Sequence, residues 1–324
     1  MATSCGAGSA AADPRQRYSS RVAFSDLWRD LRDAADILRH ARGVTEVVRA
    51  VLPASLRERR VLNRGDGAHE DATPCPSLAS PLAQTLRALG GALRADAVDD
   101  EGRVHYGRLR GSAAYAELCR ESARLVAVTP DDLPTDAARG AFWINLYNVL
   151  SIHGVIALGI ERSVMELPSF FSRVAYDVGG ETFTPDEIEN GVLRRNAPHP
   201  ATGERLFAPD DARLAYCPTE VDARIHAALV CASKSCPPVR FYTPEALDDE
   251  LGRAIAGYVA AEVEVRDDAL VLPITFRYYA RDFGDLRAFL RRHAEGDQRA
   301  AIDAAFARGA RLEYRRYDWS LNQA

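Results

Sequence analysis

The run His226-Ala-Ala-Leu-Val-Cys231-Ala-Ser-Lys234-Ser-Cys236-Pro-Pro238 gathers a base, two thiols and a cation into one short stretch. A thiol becomes a useful nucleophile when a neighbouring cation or imidazole favours the thiolate, moving its pKa from about 8.5 into a range of about 3.5–7.5. Cys236 is then the candidate nucleophile, His226 the base and Lys234 the cation, with Pro237 and Pro238 stiffening the loop just after the thiol. The same residues admit other chemistry. Free cysteines often pack as small hydrophobes, and a C-x4-C pair can close a reversible disulfide. Cys231, Cys236 and His226 can also be read as zinc ligands, with Cys217 or His199 as a fourth, although the compact C-x2-C spacing is absent.

Two further groups carry chemistry. In Asp186-Glu187-Ile188-Glu189-Asn190-Gly191 a helical reading puts Glu189 on the flank of Val192 and Leu193, so its carboxylate faces apolar material and needs a histidine or an arginine. As the partner of His226 it would complete a Cys-His-acid array. Asn145, Asn148 and His153 interrupt the most apolar stretch of the chain, 141–160, where an unpaired polar group costs about 1–3 kcal/mol. They either bond loop backbone and organise the fold, or one of them lines a cleft and stabilises an oxyanion. Lys234 is the only lysine among 41 basic residues; coding bias toward arginine explains the rarity, and an ammonium inside the cysteine loop has a geometry that arginine cannot copy.

The elements that must position these residues read as follows. Residues 1–22 are small, polar and unpatterned, as in a disordered terminus. Helical spacing begins at Phe24 and continues to Leu38, a second helix is expected over 44–62 with a break at Pro53, and a third over 80–95 beyond a Gly- and Pro-rich connection at 63–79. Val104–Tyr106 reads as a short extended piece, and helices are expected over 112–128 and from Thr135 or Asp136 to Leu158. The second of these is apolar on both flanks and so interior. Gly179-Gly180 joins two short strands, 173–178 and 181–183. Thr184-Pro185-Asp186-Glu187 starts a helix to about Arg195. Residues 225–230 fit a strand or a buried helix, Thr243 begins a helix to about 260, 262–273 is a hairpin, 274–309 is helical with breaks near Gly284 and Gly296, and 311–317 is a last strand. The fold class expected is α+β, mostly helical with short antiparallel hairpins, in one main domain (99–324) preceded by a helical segment (23–98).

With 47% hydrophobic and 27% charged residues the composition is that of an ordinary globular protein. The formal charge of −5 supplies no basic field for a polyanion, which argues against nucleic acid and anionic membrane surfaces. Asn145, Asn148 and His153 break the one stretch that approaches the length of a membrane span, about 18–20 apolar residues. No leader pattern precedes Cys5, so the cytoplasm is the expected compartment. Neither a dinucleotide fingerprint nor a P-loop is present, and no cofactor is expected.

The motifs Ala141-Phe-Trp-Ile-Asn-Leu-Tyr-Asn148, Asp186-Glu-Ile-Glu-Asn-Gly-Val-Leu-Arg194, Arg224-Ile-His-Ala-Ala-Leu-Val-Cys231, Ser233-Lys-Ser-Cys-Pro-Pro238 and Tyr317-Asp-Trp-Ser-Leu-Asn322 together resemble the family called domain of unknown function 547. The resemblance runs from about Val104 to Asn322, is strongest between Ala141 and Pro244, and implies no established activity. It centres on Asn145, Asn148, Glu189, His226, Lys234 and Cys236. The family's usual Phe-Ala-Leu after the histidine is replaced here by Ala227-Ala-Leu-Val230, which removes a bulky contact beside His226. From the residues, the leading expectation is a cysteine-dependent hydrolase or acyl transferase acting on an amide or thioester of a small molecule or peptide. Cys236 is its nucleophile, His226 its base, Glu189 its orienting acid, and Asn145, Asn148 and Lys234 contact substrate or oxyanion. The rival readings are a protein-interaction module docking through the N-terminal helices, with a structural Cys/His core, and a Cys/His metal or dithiol redox site.

Overall fold

The computed structural model describes residues 59–64, 98–167 and 169–324, which belong to a compact unit running from Leu52 to Ala324. The disorder expected over 1–22 and the helices expected over 24–38 and 80–95 fall on residues outside the described ones, as does most of the helix expected over 44–62. The end of that last helix is described, and it is a strand. β1 (Arg60–Val61) pairs in parallel with β2 (Val174–Val178), with Arg60 opposite Val174. Tertiary partners override the local periodicity there: Leu62 donates to the Ala175 carbonyl, and the Asn63 side chain bonds both backbone groups of Asp177 and the Ser122 carbonyl. The sheet therefore reaches into the segment that the sequence assigned to the helical N-terminus.

Val104 alone of the expected extended piece pairs, with Val98 and Gln323, and Tyr106 already begins α1 (Tyr106–Leu109). Ser112 caps α2 (Ala113–Ser122) by accepting from the Tyr115 N–H, and the chain then tightens into a 3-10 turn, Ala123–Ala127, rather than continuing as α-helix to 128. The central element is α3 (Asp136–Leu158). Thr135 accepts from Ala138 N–H at its start, and Gly159 ends it at φ 65°, a left-handed value that glycine adopts without strain. From Ala141 to Ile156 every residue of α3 is buried. Its length and a mean hydropathy of 1.4 would suit a membrane span, but 89% of that window is enclosed by protein, which makes α3 the core helix the two apolar flanks foretold.

α4 (Phe170–Arg173) leads into β2, and β3 (Glu181–Phe183) returns antiparallel to it across Gly179 and Gly180, at φ 63° and 85°. Two positive φ values are what a tight hairpin turn demands. A π-helix, Glu187–Leu193, and two 3-10 turns, Ala212–Tyr216 and Ala223–Ala227, follow. α5 (Leu247–Glu262) starts later than Thr243 because Thr243 forms a turn first, its carbonyl accepting from Ala246 N–H and its own N–H bonded to Glu250. β4 (Glu264–Val265) and β5 (Ala269–Pro273) form the second hairpin. α6 (Thr275–Tyr278), α7 (Ala280–Phe283), α8 (Leu286–His293) and α9 (Gly296–Ala307) are separated near Gly284 and Gly296, as expected, and also at Tyr279, and β6 (Arg311–Arg315) follows in parallel with β5.

The architecture is α+β. Both hairpins are antiparallel, and each three-stranded sheet gains a parallel edge strand, β1 or β6, that comes from far away in sequence. Two apolar clusters result. One surrounds α3, where Trp143 packs edge-on against Phe142 and Tyr216 and tilted against Phe183. The other joins α5 to α6–α9 through Ile255, Val259, Leu272, Phe276, Phe283 and Ile302. The chain passes between them along the 3-10 turn at 223–228, where Ala223 and Ala227 belong to the second cluster and Ile225 and Ala228 to the first, and from Ala228 to Ala232 it stays with the first.

Candidate functional site

The cysteine loop is held by two asparagines of α3. Asn145 accepts from Tyr242 N–H at 2.8 Å and donates to the Tyr242 carbonyl at 2.8 Å. Asn148 accepts from Val230 N–H at 2.7 Å and donates toward the carbonyls of Ala228 and Arg240. Both ends of each amide are thus spent on the backbone on either side of the loop, the fold-organising alternative, rather than held free for an oxyanion. The chain's last segment clamps the loop from outside, with Lys234 N–H bonded to Ser320, Asn322 N–H to Ala232 and Asp318 N–H to the Ser235 hydroxyl. These contacts hold Ala232 at φ 66°, a conformation costing a non-glycine residue about 1–2 kcal/mol. Strain of this kind persists where the surroundings over-determine the backbone.

Within the loop the two sulfurs are 3.0 Å apart and unbonded. Cys236 Sγ accepts from Cys231 N–H at 3.1 Å, lies 3.3 Å from the Ser233 hydroxyl, and lies 3.1 Å from the Tyr317 hydroxyl, which is equally close to Cys231. Burial by itself would push the Cys236 thiol up; hydrogen bonds from Cys231, Ser233 and Tyr317 outweigh it and bring the thiol down to about 6. Cys231 moves the other way, well above the ordinary thiol, first through burial and then through its charged neighbour Cys236. Burial and the thiols keep Tyr317 protonated, so it remains a donor. The pair therefore carries one negative charge, on the partly exposed Cys236.

His226 lies in a second cluster. Its Nε2 is 2.9 Å from Asp282, and an ionised carboxylate only accepts, so Nε2 carries the proton. Asp282 also receives a two-pronged bond from Arg194, through Nε at 2.5 Å and Nη2 at 2.9 Å, and Arg194 in turn donates to Asn190 and Pro198. Burial would raise the Asp282 carboxyl; the bonds from His226 and Arg194 prevail and hold it at about 2. The imidazole stacks on Tyr279 at 3.9 Å and touches Phe283. Its Nδ1 is buried without a hydrogen-bond partner and faces Glu189 Oε1 at 3.7 Å.

Glu189 is placed by the π-helix. The capping box read from the sequence forms, Thr184 accepting from Glu187 N–H while the Glu187 carboxylate accepts from Thr184 N–H. The bonds that follow skip five residues, from Arg194 N–H to Glu189 and from Asn196 N–H to Gly191, and the segment ends with Arg195 and Asn196 at positive φ. Gly191 is required because a Cβ there would overlap the Phe207 ring. Single-turn π segments are frequent at functional sites.

The structure brings His226 and Glu189 together, but the carboxylate that fixes the imidazole is Asp282. Cys236 has no hydrogen bond to His226. Lys234 is exposed and its side chain bonds nothing among the described residues; hydrogen bonds, not an adjacent cation, favour the Cys236 thiolate. The two clusters meet electrostatically at Tyr147, a buried α3 hydroxyl pushed well up by burial and then by Glu189, Cys231, Tyr279 and Cys236. As a zinc set, Cys231, Cys236 and His226 do not converge: among the described residues no three His, Cys, Asp or Glu side chains are placed to hold a metal. Cys217 bonds the Gly191 carbonyl and His199 bonds Asp186, each away from the thiols. Sequence reasoning missed Asp282, Tyr279, Ser233 and Tyr317 as functional groups, although Ser233 and Tyr317 lie inside motifs that it singled out.

An α+β domain with a thiolate loop and a carboxylate-held histidine is the class that this geometry defines. Residues 130–259 match the family described as "Protein of unknown function, DUF547", and the matched stretch includes α3, the π-helix, His226 and both cysteines of the loop. No curated protein and no solved structure matches the chain.

Proposed function

We propose that Cys236 is the nucleophile of an acyl-transfer or hydrolysis reaction on a thioester or amide. The observation that supports this reading is a partly exposed thiol held as thiolate at neutral pH by donors from Cys231, Ser233 and Tyr317. Such a thiolate needs no base to activate it. It attacks the carbonyl carbon, the Tyr317 hydroxyl beside it donates to the developing oxyanion, and collapse of the adduct expels the leaving group, from a thioester directly as a thiolate and from an amide as an amine that takes a proton from solvent. His226 serves the later step: with Nε2–H fixed on Asp282, its Nδ1 is free to take a proton from the incoming water or acceptor, and Glu189 stabilises the imidazolium that forms.

The test is mass spectrometry of the protein mixed with a panel of acyl thioesters. An acyl group should appear on Cys236 of the wild type, accumulate in His226→Ala because deacylation slows, and be absent from Cys236→Ser. Absence of any Cys236 adduct across the panel, or an adduct whose lifetime ignores His226, overturns the reading.

A further inference from the structure

The Cys231 thiol forms no covalent bond in acyl transfer, yet its sulfur sits 3.0 Å from Cys236 Sγ, and the two share Ser233 and Tyr317 as neighbours. We infer that the pair is also a thiol–disulfide exchange site, in which Cys236 attacks a small disulfide and Cys231 resolves the product. The proposal rests on the nucleophilic Cys236 of the preceding reading and needs no acyl substrate.

The division of labour follows from position. Exchange needs an accessible thiolate to attack and a second thiol close enough to displace the mixed disulfide. Cys236 is partly exposed and Cys231 buried, so an external disulfide meets Cys236 first. Burial, and after it the charged Cys236, keep Cys231 protonated in the resting pair. Once Cys236 is bonded to a foreign sulfur its negative charge is gone, and the part of the hold on the Cys231 proton that came from Cys236 goes with it. The loop is built for the approach: clamped by Asn148 from within and by Ser320 and Asn322 from without, it turns back at the strained Ala232 and holds the two sulfurs 3.0 Å apart.

The electrons balance with a low-molecular-weight disulfide as oxidant. The Cys236 thiolate attacks one sulfur of glutathione disulfide, forming a mixed disulfide and releasing one glutathione thiolate. Cys231 loses its proton to that thiolate and attacks Cys236 Sγ, which forms the Cys231–Cys236 bond and expels the second glutathione. The protein dithiol is oxidised by two electrons, one glutathione disulfide is reduced to two thiols, and Cys236 is withdrawn from acyl chemistry until a dithiol reductant restores it.

The experiment treats the reduced full-length protein with glutathione disulfide and maps the products by non-reducing peptide mass spectrometry, beside Cys231→Ala and Cys231→Ser. In the wild type the Cys231–Cys236 bond should form, with only a transient glutathione adduct. In both variants, checked for folding by circular dichroism, the adduct on Cys236 should persist. A stable wild-type adduct without the internal bond, or no reaction at either cysteine, overturns the inference; the wild-type arm decides even where the variants fold poorly. Iodoacetamide labelling of Cys236 in the same samples separates the failures: a reactive Cys236 that never bonds Cys231 refutes exchange alone, whereas an inert Cys236 refutes the nucleophile itself.

Discussion

Replacing Asp282 by asparagine keeps the side chain's shape and removes the charge that Arg194 and His226 share. Arg194 and Asp282 expose only 2% and 5% of their side chains, so the guanidinium left behind is a buried charge without its counter-ion. Breaking such a pair from one side costs about 3–5 kcal/mol. The native carboxyl is held at about 2 against 3.8 for a free aspartate, a drop of nearly two units and worth about 2 kcal/mol of folding stability. The sign is fixed by the direction of the shift. A depressed carboxyl contributes fully above its unfolded pKa, and the contribution is lost as pH falls from about 4 toward 2. Urea denaturation of wild type and Asp282→Asn at pH 7 should therefore differ by about 3–5 kcal/mol, and the difference should shrink by about 2 kcal/mol near pH 2. Adding Arg194→Met to the variant should recover part of the loss, since no charge is then stranded. A cost below about 1 kcal/mol, or a difference that does not change with pH, would refute the reading of Asp282 as the ionic centre of the histidine cluster.

The remaining consequences concern separate parts of the scaffold. The rate of Cys236 alkylation, followed by mass spectrometry against pH, should rise with a midpoint near 6; Tyr317→Phe removes a charge-assisted bond and should raise that midpoint by about 1–2 units. Lys234→Ala should leave the midpoint where it is, because the exposed ammonium makes no contact with the thiol; a clear rise would restore the lysine to the role its position in sequence suggested. Asn148→Ala strands Val230 N–H and the Ala228 carbonyl in a fully buried site and should cost about 2–4 kcal/mol in denaturant titration. Gly191→Ala forces the Phe207 ring aside and should cost about 1–3 kcal/mol, relieved in part by Phe207→Leu, as read from thermal unfolding.

Much of this arrangement was legible before any coordinates, and what was not has identifiable causes. The core helix, its Thr135 start, the Gly179-Gly180 hairpin and the Thr184–Glu187 capping box are local, and their residues state them directly. A capping box fixes where a helical turn begins but not whether its carbonyls bond four or five residues ahead, so the π-helix was hidden behind an ordinary signature. β1 was read as helix because two residues acquire strand geometry only from a partner more than a hundred positions away. The same distance problem hid Asp282. It lies 56 positions from His226, in Tyr278-Tyr-Ala-Arg-Asp-Phe283, where a charged residue on a short helix reads as surface. Glu189 looked like the better partner because its inward flank was visible in the spacing, and it does reach the histidine, on the other nitrogen.

The placement of the two clusters explains why no hydrogen bond joins the thiol and the imidazole. His226 ends the stretch that packs on α6 and α7, where Tyr279 and Phe283 hold its ring. From Ala228 onward the chain belongs to the α3 core, where Asn148 holds Val230 just before Cys231. One short run of backbone thus carries the proposed base anchored in one core and the proposed nucleophile anchored in the other. An adjacent His–Cys pair would make thiolate formation depend on both cores keeping register, since a misplacement of about 1 Å is enough to impair catalysis. Supplying the thiolate's donors from Cys231, Ser233 and Tyr317, all on the cysteine side, removes that dependence. The role proposed for His226 is then the proton transfer of the later step. Small relative movement of the cores should then slow the resolution of a Cys236 adduct more than its formation, the same ordering expected of His226→Ala.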